Sequence, residues 1–135
     1  VNMPVLIDSC VYLDVFTRDR DWYSWSSNAI ADAVATDMVV LNPIIYAEIS
    51  IRFTRIEELE AQLPQEVFQF WEVPREAAFL AGKCHLKYRA RGGQKRSPLP
   101  DFFIGAHAMV ENLVLITRDP RRFSDYFPKL KLLCP

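Results

Sequence analysis

Four acidic residues stand where carboxylates could do chemistry: Asp8, Glu48, Asp101 and Asp119. Asp8 ends the apolar run Val5–Ile7, at the close of a strand-like segment where ionising a carboxyl is costly. Asp119, in "TRDPRRF", follows the apolar run Leu113–Ile116. Both have an ordinary reading as helix caps, Asp8 for the segment from Ser9 and Asp119 ahead of Pro120. Glu48, in "NPIIYAEISIRF", has Ile44, Ile45 and Ile51 as helical neighbours, so it lies on or beside the apolar stripe. An ion pair with Arg52 is its ordinary account. Asp101, in "SPLPDFFIGAHAMV", sits in the first turn of a helix, where the dipole favours an acid. Its same-face neighbours Ile104, Gly105 and Ala108 are apolar or small, which would let that helix lie close to a sheet and turn Asp101 toward the strand ends.

Four converging carboxylates without a cation would repel and raise each other's pKa. A divalent ion removes that problem, and hard oxygen donors without a Cys or His cluster select Mg²⁺ or Mn²⁺. Such an ion polarises a phosphoryl oxygen and helps to generate hydroxide from water, so phosphodiester hydrolysis follows most naturally. A rival enzymatic reading is an Asp-dependent phosphatase with Asp8 as nucleophile. The haloacid-dehalogenase type needs a second acid two residues on, where this chain has Cys10. A third reading is a non-catalytic module that holds RNA or protein.

The elements that must position these acids are legible as alternating runs. Strands are expected at Val5–Ile7, Met38–Leu41, Leu113–Ile116 and Leu130–Leu133. Helices are expected over Val11–Phe16, Trp22–Thr36, Pro43 to about Phe53, Ile56–Leu63, Arg75–Arg91, Pro98–Val110 and Pro120–Tyr126, with Asn42 as a cap and Gly92-Gly93 as a stop. Continuous apolar strands separated by helices imply a parallel sheet covered on both faces, with ligands gathered outside the carboxyl ends of its strands.

With 135 residues, half of them hydrophobic and about a quarter charged, the chain is expected to be one globular domain, 1–135. A net charge of −1 excludes a globally basic nucleic-acid binder, so any such surface must be local. Cys10, Cys84 and Cys134 are odd in number and far apart, which argues against a disulfide framework or a thiolate zinc site and suits a reducing cytoplasm. No segment resembles a signal peptide or approaches the ~20 apolar residues of a membrane span, so no membrane association is expected.

The motifs "VLIDSCVYLD", "LNPIIYAEIS", "PLPDFFIGAHA" and "LITRDPRRF", in that order and spacing, resemble those of PIN-domain ribonucleases, most closely the VapC-type toxins of toxin–antitoxin pairs. The resemblance implies a three-layer α/β/α sandwich with a central parallel sheet and an acidic pocket holding Mg²⁺ or Mn²⁺. It places the metal-binding and catalytic acids on Asp8, Glu48, Asp101 and Asp119, and a supporting hydroxyl on Thr117. Ser9, beside Asp8, is a second candidate hydroxyl or an ordinary cap. It also implies an endoribonuclease acting on structured RNA such as tRNA or rRNA, a cognate antitoxin and a homodimer.

From Lys83 to Arg96 the chain carries Lys83, Lys87, Arg89, Arg91, Lys95 and Arg96 and no acid. Such a run is usually a solvated face, but this one leads into Asp101, and Arg89, Arg91, Lys95 and Arg96 are candidate RNA-binding residues. Arg118, with Arg121 and Arg122, would add to them. Trp22, Tyr23 and Trp25 read as core or dimer surface, and His85, His107 and Cys10 as structural residues.

Overall fold

The computed structural model describes residues 3–96 and 98–135. Its core is built on β1 (Pro4–Ile7), whose Val5, Leu6 and Ile7 are all buried. Residues apolar on both faces suit a strand covered on both sides. β1 is flanked in parallel by β2 (Met38–Leu41) and β4 (Val114–Ile116), with Leu6 opposite both Val40 and Leu115. β3 (Phe68–Phe70) pairs with β2 and β5 (Leu132–Leu133) with β4, giving the all-parallel order β3-β2-β1-β4-β5. The chain builds outward from β1 in one direction and then returns to build in the other. Its strand order therefore reverses between β1 and β4, the place where open parallel sheets bind ligands.

Helices flank the sheet: α1 (Ser9–Phe16), α2 (Tyr23–Thr36), α3 (Pro43–Ser50), α4 (Ile56–Gln62), α5 (Arg75–Ala90), α6 (Pro100–Val110) and α7 (Arg121–Ser124). This is the α/β sandwich expected from the sequence. α1 packs on α2, α5 on α6, and α3 reaches both α1 and α6. Asn42 caps α3 by accepting from the Ile45 amide at 2.9 Å, with Pro43 in the first turn. The Nδ2 of Asn42 also meets Nδ1 of buried His107 at 3.0 Å, joining the start of α3 to α6.

Several expectations are corrected. The sheet has a fifth strand, β3, in the stretch after Pro64. α3 stops at Ser50, short of Phe53, because the Ser50 hydroxyl bonds back to the Tyr46 carbonyl at 2.7 Å and the chain tightens into Arg52–Ile49 and Phe53–Ser50 turns. β5 keeps only Leu132 and Leu133, since the Leu130 amide is used in a turn to Phe127. α7 is shorter than Pro120–Tyr126. Gly105 serves a different neighbour from the one expected: a Cβ there would stand 2.3 Å from the ring of Phe127. Among the described residues, no helix is long and apolar enough to cross a membrane.

Candidate active site

Asp8 follows β1 directly, and its amide donates to the Ile116 carbonyl at 2.9 Å, extending the β1–β4 pairing by one step. That pairing brings Asp8 beside Thr117 at the carboxyl edge of the sheet. Asp8 occupies the N-cap position of α1, but its side chain makes no capping bond; only its carbonyl accepts, from the Val11 amide at 3.0 Å. The fully buried carboxylate is used otherwise. Its Oδ2 accepts from the Thr117 hydroxyl at 2.9 Å and the Cys10 thiol at 3.3 Å, and lies 3.3 Å from Nη1 of Arg122. Its Oδ1 is buried without a partner among the described residues.

Glu48 and Asp101 complete the cluster. On α3, Glu48 accepts from the Ser9 hydroxyl through Oε1 at 2.9 Å, so Ser9 and not Arg52 is its partner. Asp101, in the first turn of α6, is held in a forked pair by Arg122: Nε donates to Oδ2 at 3.0 Å and Nη2 to Oδ1. Thr117 accepts the Asp119 amide at 3.1 Å while its hydroxyl donates to Asp8. Through that link Asp119 adjoins the cluster, but among the described residues its carboxylate has no hydrogen bond or ion pair with the other acids.

The electrostatics tie three acids and one arginine into a unit. Burial pushes the Asp8 carboxyl above its ordinary value; Arg122 and the bonds from Thr117 and Cys10 oppose this, while the charge of Asp101 adds to it. Burial likewise raises Glu48, with Ser9 and Arg122 opposing and Asp8 and Asp101 reinforcing. The Cys10 thiol is pushed up to about 11 by burial and by Asp8, so it is a protonated donor and not a nucleophile.

The basic residues fall into two kinds. Arg118 is committed to structure: its Nε donates to Oδ2 of buried Asp14 at 2.7 Å, an oxygen that also accepts from Ser26 at 2.7 Å, and its guanidinium lies over Trp22. Arg91 lies over the Tyr126 ring at 4.9 Å, and Tyr126 contacts Phe102, the neighbour of Asp101. Arg89 donates to the Lys95 carbonyl at 3.3 Å, leaving the Lys95 and Arg96 side chains on the exposed surface. Two residues had no place in the sequence reading of the site. Arg122 stood only among the basic neighbours of Asp119, and Asp14 was not singled out. Arg122 pairs with Asp8 and Asp101, 114 and 21 residues away, and no local spacing signals either contact.

Among the described residues, no group of three or more His, Cys, Asp or Glu stands ready-arranged as a metal ligand set. Arg122 lies between Asp8 and Asp101 instead. The donor chemistry nevertheless fits a hard divalent cation, because Asp8 and Asp101 share one guanidinium whose charge also acts on Glu48, and among the described residues the buried Asp8 Oδ1 lacks any donor.

The sequence model of the PIN domain family matches residues 5–127. No curated protein matches the chain. Among solved structures, the chain is similar to one in VapBC2 from Rickettsia felis, bound to a DNA fragment from its promoter. The identity is 17%, with 98% of this chain and 99% of that chain covered and a TM-score of 0.72. VapBC-1 from nontypeable Haemophilus influenzae gives 21% identity, 98% coverage of both chains and a TM-score of 0.71. FitAcB from Neisseria gonorrhoeae gives 16% identity, 96% coverage of both and a TM-score of 0.69. The reversal of strand order beside an acid-lined edge is thus set in a fold these structures share, and by the match over residues 5–127 the chain belongs to the PIN domain family.

Proposed function

We propose that this protein is a Mg²⁺- or Mn²⁺-dependent endoribonuclease, the toxin of a VapC-type toxin–antitoxin pair. The observation that carries the reading is the convergence of Asp8, Glu48 and Asp101 at the point where the strand order reverses, with one buried Asp8 oxygen unpartnered among the described residues. Asp8, Glu48 and Asp101 would hold the ion, with Asp119 as the fourth acid. A bound divalent ion supplies polarisation of the phosphoryl oxygen and acidification of water.

The chain's own residues do the positioning. Thr117 fixes the Asp8 carboxylate and Ser9 fixes Glu48, so neither acid needs to reorganise when a cation is present. Burial keeps Asp8 out of bulk water and strengthens its attraction for a cation. The exposed Lys95 and Arg96 are proposed to meet the phosphates of a structured RNA such as tRNA or rRNA. A cognate antitoxin, a homodimer and a cytoplasmic location complete the proposal. The VapBC complexes among the similar structures support the antitoxin.

A non-catalytic module is favoured by one observation, the presence of Arg122 among the acids. The two readings part in a single experiment. RNA incubated with the purified chain is expected to be cleaved only with Mg²⁺ or Mn²⁺, and chelation should abolish cleavage. Asp8→Asn and Asp101→Asn should each lower the rate by more than the roughly 10–100-fold typical of an outer-shell change. Cleavage that survives chelation, or is undiminished in both variants, would overturn the proposal.

A further inference from the structure

Arg122 touches three of the four carboxylate oxygens of Asp8 and Asp101: both of Asp101 and Oδ2 of Asp8. A forked guanidinium–carboxylate pair is among the stronger polar contacts a protein makes. The fourth oxygen, Asp8 Oδ1, is buried and without a partner among the described residues. A divalent ion bound by both Asp8 and Asp101 could use Asp8 Oδ1 but would need an Asp101 oxygen that Arg122 already occupies. The Arg122 side chain is still 29% exposed, so it has an outlet to solvent. Its helix, α7, is only four residues long, from Arg121 to Ser124.

From this geometry we infer that Arg122 is a tethered counter-cation that fills the acid pocket and competes with the divalent ion, which binds only as the guanidinium withdraws. The inference rests on the metal reading of the pocket given above. Competition of this kind lowers apparent affinity by the fraction of molecules in the open form. It also explains how the pocket tolerates three carboxylates before a metal arrives, since the guanidinium offsets part of their repulsion.

The test is calorimetric titration of Mn²⁺ into the wild type, Arg122→Ala and Arg121→Ala. If Arg122 leaves a tenth of the molecules open, its removal should tighten Mn²⁺ by about tenfold. Arg121 is exposed and, among the described residues, has no bond to the acids, so Arg121→Ala controls for simple loss of a nearby positive charge. Equal tightening in both variants, or unchanged or weaker binding in Arg122→Ala, overturns the competition while leaving the metal reading intact. Absence of Mn²⁺ binding in all three proteins overturns the metal reading and the competition together. A second measurement needs no variant. In the wild type, the Nε–H resonance of Arg122 should shift as Mg²⁺ is added, with the midpoint found by Mg²⁺ calorimetry. A resonance that stays fixed at saturating Mg²⁺ overturns the inference.

Discussion

His107 is held neutral by its surroundings: burial lowers its pKa, and the Asn42 amide donates to its Nδ1. The unfolded chain therefore binds a proton that the folded one resists. Stability contributed by this residue is fully present above the unfolded value of about 6.5 and is lost as pH falls below it, by at most about 1.4 kcal/mol per pH unit. The difference in urea midpoint between wild type and His107→Gln, measured from pH 7.5 to 5.0, should isolate that slope; a constant difference would contradict it. At this scale the sequence was informative about type and poor about direction. Asp8, Glu48 and Asp101 were legible because each breaks an apolar pattern at a strand end or on an inward helix face. Arg118, Arg121 and Arg122 have the same chemistry, and only the fold separates them: Arg118 turns to Asp14, Arg122 to Asp101, and Arg121 to solvent. Asp14 bonds to Arg118, 104 residues away, and to Ser26, 12 residues away, and only the fold brings the three together.

Helix α6 carries Asp101 into the pocket, and its seating depends on Gly105. The Phe127 ring is buried and fills the space a Cβ would need, so it has no room to yield. Gly105→Ala should cost about 1–3 kcal/mol of stability, the usual penalty of overpacking. Phe127→Leu in the same chain should return part of that loss, as a thermal or urea double-mutant cycle would register. Additive losses would place the strain elsewhere. The elements themselves were readable in proportion to their burial. β1, β2 and β4 are continuous apolar runs with neighbours on both sides. β3 is an edge strand in which Phe68 is buried while Gln69 and Phe70 are exposed, so its alternation gave no uninterrupted run to notice. The end of α3 was set by a serine hydroxyl bonding to its own helix, a competition that periodicity does not register.

Across the whole molecule, the acid pocket and the basic segment are joined through the contacts Arg91–Tyr126 and Tyr126–Phe102, with Phe102 next to Asp101. With a net charge of −1, the proposed RNA binding would have to come from such a local surface. Replacing Lys95 and Arg96 together by Ala should weaken RNA binding at every sequence and reduce its salt dependence by about one unit of slope per lost phosphate contact. An unchanged slope would remove these residues from the interface. The bond between Thr117 and Asp8 spans 109 residues and carries a further consequence, for timing. Thr117 is synthesised 109 residues after Asp8, and Arg122 later still. At typical synthesis rates the interval is on the order of 5–20 seconds. A nascent chain stopped before Thr117 has the first acid but neither the hydroxyl that fixes it nor the guanidinium that neutralises it. If the pocket is a nuclease centre, the ribosome must add more than 100 residues after Asp8 before the pocket can assemble.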